Sequence, residues 1–331
     1  MIDEVQYAPE LFRYIKFLLD KSEEKGQICL AGSQTYALMK NVTQSLAGRI
    51  GILEMQGFST REKLGIDFFD AFVPKDKYLD ARGKFLVPCG DIWTLIHRGT
   101  MPALNDASAN WNFFYGSYIK SYIERDVRNL MSIKDENLFY KFIVALASRT
   151  GCLFNAADIA NTIGVSLKTV QSWTSGLEAS GLIFFLRPYE SNLLKRAVKT
   201  PKIFFHDTGL VCYLVGWDNP KVLQNGAMSG EIFETFVIAE IVKSWCNCGL
   251  DLRNLFFYRD TNKKEIDLIV REGANLFPVE IKHSANPTTS MAKHFPSLDA
   301  LSGIQNGTIL CRCERPLWIS ENVRTVPIDF L

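Results

Sequence analysis

The most regular alternation of apolar and polar residues lies between Glu265 and Lys282. Ile266, Leu268 and Val270 alternate with Glu265, Asp267 and Ile269. Further on, Phe277, Val279 and Ile281 alternate with Pro278, Glu280 and Lys282. Successive side chains of a strand point to opposite faces, so the pattern predicts two strands, each with one apolar and one largely polar face. Gly273-Ala274 between them fits a two-residue type II′ turn, which takes glycine first. That turn pairs Glu272 with Asn275. Counting back along the ladder sets Asp267 opposite Glu280, and Glu265 opposite Lys282.

The rest of the chain reads as alternating strands and helices. Met1 to Asp3 forms a short strand, Pro9 to Leu19 an amphipathic helix, and Ile28 to Ala31 an apolar strand ending in Gly32-Ser33-Gln34. An apolar strand fed by a helix predicts a buried parallel sheet. Phe58 to Met131 reads as mostly helical, with loops around Pro74, Pro88 and Pro102. Asn137 to Tyr189 reads as a compact helical unit closed by the strand Leu182 to Leu186. A basic connector (Arg187, Lys195, Arg196, Lys199, Lys202) leads into a strand from Lys202 to Phe205, a helix from Glu231 to Lys243, and the hairpin. The expectation is a multidomain α/β protein divided at 1–57, 58–135, 136–200 and 201–331.

Composition changes this picture little. The 331 residues are 47% apolar and 22% charged, enough for a core of ordinary size. A net charge of +1 gives no large field, so any nucleic-acid site is a local patch. No apolar run is long enough to span a bilayer, so no membrane partner is expected. Met1-Ile2-Asp3-Glu4 lacks the basic start of a signal peptide, which predicts a cytoplasmic location. The eight cysteines fit that address as reduced thiols. Cys246/Cys248 and Cys311/Cys313 are C-x-C pairs, not the C-x-x-C of a zinc knuckle, and read as alternate residues of strands or loops.

Chemistry concentrates on the hairpin. Opposed carboxylates at Asp267 and Glu280 sit ~5 Å apart at Cβ and repel one another. A divalent cation removes that penalty, and magnesium is the natural ion for hard oxygen ligands. Lys282, two residues beyond Glu280, shares its face and reaches a metal-bound water or a phosphate. Metal-assisted phosphodiester hydrolysis needs this set. The plainer alternative is a solvated polar face with a Glu265–Lys282 ion pair, and spacing alone leaves both open. Glu231 and Glu234 share a helix face three residues apart. Glu231 also suits the helix N-terminus through the dipole. Glu234, on an otherwise apolar helix, asks for a partner or a metal.

The helical unit has a helix-turn-helix layout. A short helix from Ala157 to Ile163 stops at Gly164. Ser166 caps a second helix running to Ala179, and Gly181 ends it. Val170, Trp173 and Leu177 form its core stripe. Lys168, Gln171, Ser172 and Ser175 form another, hydrogen-bonding face. The strand from Leu182 would open a wing. The expected partner is DNA or another protein through this winged helix, with self-association also open.

At the start, Asp3-Glu4 after apolar residues resembles the tip of a Walker B strand. Taken with Pro9-Glu10-Leu11-Phe12, Leu46-Ala47-Gly48-Arg49, Arg149-Thr150-Gly151, Pro201-Lys202-Ile203-Phe204-Phe205, Asp207-Thr208-Gly209-Leu210, Glu265-Ile266-Asp267 and Val279-Glu280-Ile281-Lys282, the chain resembles prokaryotic AAA-type ATPases fused to a C-terminal domain of unknown function. The resemblance covers nearly the whole chain. It implies a P-loop core from Walker B onward, a winged-helix module and a PD-(D/E)xK-nuclease-like domain. It also implies that Asp3 and Glu4 are the Walker B pair, that Ser33 or Gln34 is the sensor of the next strand, and that Arg49 senses the γ-phosphate.

The family places a phosphate loop, G-x-x-x-x-G-K-S/T, before Walker B. No such motif occurs in this sequence. The expectation is therefore a truncated AAA-type protein with its nucleotide switch disabled. The alternatives are a metal-dependent nuclease acting through the last domain, and a binding module without catalysis. ATP belongs to intact relatives and is not expected here. Without the amides and lysine that cradle the β- and γ-phosphates, calorimetric titration of the chain with Mg-ATP gives no heat of binding at physiological nucleotide concentration. Micromolar affinity would overturn this.

Overall fold

The computed structural model describes residues 1–21, 24–32, 46, 48–121, 133, 135–190, 199–298 and 301–331. Its centre is an eight-stranded mixed sheet. The strands are β1 (Ile183–Pro188), β2 (Lys202–Phe205), β3 (Leu255–Arg259), β4 (Glu265–Glu272), β5 (Asn275–Ile281), β6 (Gly307–Cys311), β7 (Leu317–Ser320) and β8 (Val323–Pro327). They lie in the order β2-β1-β3-β4-β5-β6-β8-β7. β5, β6 and β8 are parallel neighbours; β3, β4 and β5 form an antiparallel meander.

The hairpin forms in the expected register from Glu272↔Asn275 to Leu268↔Val279. Gly273 at the turn has φ +61°, a conformation glycine adopts without strain. Alternation then sorts the two faces. Leu255, Phe257, Leu268, Val270, Phe277 and Val279 join the main core, while Phe256, Ile269 and Leu276 join a second cluster with Phe295 and Leu298. The main core draws on residues from Phe68 to Leu331.

A long helix, Ser229–Asn247, packs against β2 and β5. Every residue from Thr235 to Trp245 is buried. A helix apolar on nearly all sides needs cover all round, and the segment before it supplies part of that cover. Phe72 N donates to Ser244 Oγ at 3.1 Å, and Trp245 Nε1 donates to Phe72 O at 2.9 Å. Asp207 ties the same segment down: it accepts from Thr100 N at 2.8 Å and Tyr115 Oη at 2.6 Å while capping the helix Thr208–Leu214. Gly209 sits so close that a Cβ there would meet Tyr115 Oη at 2.2 Å.

The two short helices run Ala156–Ile163 and Leu167–Ala179. Gly164, at φ +75°, ends the first, and Ser166 Oγ accepts from Thr169 N at 3.1 Å to start the second. Val170, Trp173 and Leu177 are buried; Lys168, Gln171, Ser172 and Ser175 are exposed. The strand that follows does not stand out as a wing. β1 pairs antiparallel with β2 and parallel with β3, and so belongs to the main sheet.

The N-terminal segment has its own small core of Val5, Phe12, Ile15 and Leu46. The two expected strands meet as one parallel bridge, Ile2↔Leu30, with Ile2 N on Cys29 O at 2.8 Å and Ala31 N on Ile2 O at 2.9 Å. The helix behind them runs Leu11–Leu19. The eight cysteines are free thiols.

The last strands are fastened by the helix Asp76–Arg82. The Arg82 side chain is buried and donates to Phe85 O at 2.6 Å, Asp329 O at 2.7 Å and Leu331 O at 3.2 Å. Arg82→Ala strands these carbonyls in a dry site and opens a cavity, at a cost of roughly 3 kcal/mol. Urea unfolding followed by fluorescence should show the unfolding free energy fall by that amount, with a lower midpoint; an unchanged midpoint would show that the clamp is idle.

Candidate functional site

The site is built where β4, β5, β2 and the long helix meet. From Phe256↔Ile269 to Tyr258↔Ile266, β3 advances two residues while β4 advances three. The extra residue is a β-bulge in the stretch holding Asp267, and bulges re-aim side chains. The regular ladder with β5 ends at Leu268↔Val279. Asp267 Oδ2 instead accepts from the backbone N–H of Ile281 at 2.8 Å.

Lys282 Nζ lies 3.1 Å from Asp267 Oδ2 and 2.5 Å from Glu280 Oε2, so one ammonium bridges two carboxylates. Beside it, Lys202 Nζ lies 2.9 Å from Glu234 Oε1 and 2.6 Å from Glu265 Oε1. Arg259 Nη1 closes on Glu265 Oε2 at 2.7 Å. The two lysines differ in access: the Lys202 side chain is 4% exposed and that of Lys282 33%.

The charges are mutually dependent. Burial, then Asp267, hold the Glu280 carboxyl up to about 8, although Lys282 pulls it down. Burial, then Asp267, likewise raise Glu234 to about 7 against the pull of Lys202. Burial alone would lower both lysines, yet the carboxylates around them raise both.

Of the residues expected at this site, Asp267, Glu280 and Lys282 come together. Glu234 is held by Lys202 and feels the Asp267 charge. Glu231 sits in the first turn of the long helix. The Glu265–Lys282 ion pair of the plainer reading does not form: Glu265 pairs instead with Lys202 and with Arg259, its register partner across β3. By sequence Lys202 reads as one charge of a basic connector. Its position at the head of a wholly buried strand was the signal that it needed acidic partners.

The other expected sites lie elsewhere. Asp3 is exposed, with Oδ1 accepting from Glu4 N at 3.0 Å, and Glu4 has φ 49°. Arg49 pairs with Asp20 at 2.9 Å. Ser33 and Gln34 lie outside the described residues. Lys168, Gln171 and Ser172 share the exposed face of their helix.

Among the described residues, no three or more His, Cys, Asp or Glu side chains are gathered as an ion cage. Asp267 and Glu280 nevertheless form a two-carboxylate set, and Glu280 Oε1 is buried with no hydrogen-bond partner. That orphaned oxygen fits a hard cation such as magnesium, which takes one or two carboxylates and completes its shell with water and phosphate oxygens.

The raised carboxyl of Glu280 has a consequence for stability. A folded-state value near 8, above the unfolded ~4.3, favours folding below about pH 4 and loses that contribution as pH rises to about 8. Subtracting the urea stability of Glu280→Gln from that of the wild type, pH by pH, isolates this group. The difference should shift against the wild type between pH 4 and 8; a flat difference would contradict the environment described.

Three family models match parts of the chain. Residues 1–64 match a family described as an AAA domain. Residues 90–221 match a domain of unknown function, DUF8612, and residues 229–331 another, DUF4143. Two uncharacterized proteins, from Mycobacterium bovis and Mycobacterium tuberculosis, are each 26% identical over 333 residues, covering 99% of this chain and 68% of the relative. No solved structure matches. The chain thus combines an AAA-like stretch with domains of unknown function, and no helix among the described residues is long and apolar enough to cross a membrane.

Proposed function

We propose that the C-terminal α/β unit carries a magnesium-dependent phosphodiester-cleaving site on Asp267, Glu280 and Lys282, in a nuclease-like fold. The observation that carries it is a single ammonium bridging two carboxylates, one of which keeps a buried, unpartnered oxygen. Magnesium, when bound, supplies Lewis-acid charge and a water of lowered pKa. Asp267 is fixed for its role by the Ile281 N–H. Lys282 is exposed enough to leave its carboxylates and meet the charge that develops on a phosphate.

In this reading the exposed face of Lys168, Gln171 and Ser172 belongs to a helix-turn-helix-like module that docks a nucleic acid or a protein. One lysine makes a weak electrostatic footprint, so specificity rather than affinity is its contribution. The AAA-like start adds Asp3 and Glu4 as a Walker B-like pair.

A second reading is favoured by the same two lysines. They already neutralise the carboxylates, as a binding module with an inert polar network would require. The test is incubation of labelled single- and double-stranded DNA and RNA with the protein in magnesium or manganese. Cleavage lost on the order of 100-fold in both Asp267→Asn and Glu280→Gln supports the nuclease reading. No cleavage of any substrate by the folded wild type moves the binding module ahead.

A further inference from the structure

We infer that the site takes one divalent cation and not two, because Lys202 is a built-in cation that keeps Glu234 and Glu265 out of the metal shell. The inference rests on the metal-binding reading above and specifies it. Its basis is the juxtaposition of two similar units. Each has a lysine between two carboxylates: Lys282 between Asp267 and Glu280, Lys202 between Glu234 and Glu265. Glu265 and Asp267 are near neighbours on β4, so the units stand side by side. Asp267 acts on both Glu234 and Lys202.

Hydrolytic sites with two metals set their ions ~4 Å apart and need carboxylates around both. Here the acids for a second ion are present but occupied. Lys202 cannot swing away: its side chain is 4% exposed, it heads β2, and it lies 5.7 Å from the centre of the Phe257 ring. Arg259 holds the other oxygen of Glu265. Lys282 differs, because a third of its side chain is open to solvent and its departure frees Asp267 and Glu280 together.

Charge gives the same answer. Once Lys282 has swung out, one divalent ion with Lys202 and Arg259 balances the four ionised carboxylates. A second ion would leave two positive charges uncompensated in a largely dry place, which is strongly unfavourable. Lys202 is therefore a positioning residue: it sets the number of ions and orients Glu234 without touching the substrate.

The test is manganese titration of the full chain, read both by calorimetry and by the resonance of free manganese. The wild type should bind one ion. Lys202→Met, which frees Glu234 and Glu265, should bind two. Lys202→Arg, which keeps the charge, should return to one. Lys282→Met should still bind one, at least tenfold more tightly, because no ammonium competes for the carboxylates. Near-UV circular dichroism checks that each variant is folded. Two ions in the wild type overturn the inference and leave the metal reading standing. One ion in folded Lys202→Met also overturns it. No ion in the wild type at millimolar manganese removes the metal reading and this inference with it. If Lys202→Met fails to fold, Glu265→Gln with wild-type stoichiometry decides in its place. It should bind one ion, and two in either protein would refute the role given to Lys202.

Discussion

One extra residue in β4 determines how the acids of this protein are shared. In an unbulged ladder Asp267 would stand across from Glu280, and Glu265 across from Lys282. At the bulge against β3, Asp267 accepts from the Ile281 N–H and Glu265 pairs with Lys202. Four carboxylates and three cations are thereby divided into two connected groups rather than left as a repelling pair. The sheet cannot slip to another register without exposing the apolar faces of β4 and β5, so the division is held by the core.

The network is costly to bury and is not there for stability alone. A buried ion pair recovers its desolvation penalty only when the remaining lone pairs are satisfied. Here they are not: Glu280 Oε1 has no partner. Apolar residues at these places would pack at least as well. The surrounding structure accepts the cost and arranges it unevenly, with Lys202 sealed and Lys282 open. The long helix supplies Glu234 to the sealed group and presents wholly buried positions from Thr235 onward, so the same helix that closes the core also fixes one acid.

What the sequence disclosed was local. The hairpin register followed from pleat and turn, and held from Glu272↔Asn275 to Leu268↔Val279. The paired short helices followed from Gly164 and Ser166, whose chemistry acts within a few residues. What it hid was long-range. The bulge exists only through the pairing of β4 with β3, and no alternation inside β4 announces it. β1 looked like the start of a wing until Arg187↔Phe256 and Pro188↔Phe257 placed it in the sheet. Lys202 looked like one basic residue among several, and only the folding of the helix and β4 around it shows its partners.

The contrast between the two lysines carries the functional argument further than the acids do. Carboxylate clusters occur wherever strand ends meet, and a lysine beside them usually means a structural pair. A lysine sealed at 4% exposure has one available state. A lysine one-third exposed has two: it can neutralise Asp267 and Glu280, or leave them to a cation and meet an anion outside. In the first of these states Glu280 is held up toward its protonated form beside Asp267, and its Oε1 is left without a hydrogen-bond partner. A larger positive charge with a wider coordination shell would reach that oxygen. The geometry of the open lysine and the unmet need of its carboxylate therefore point the same way, toward a site that exchanges its own cation for one from solution.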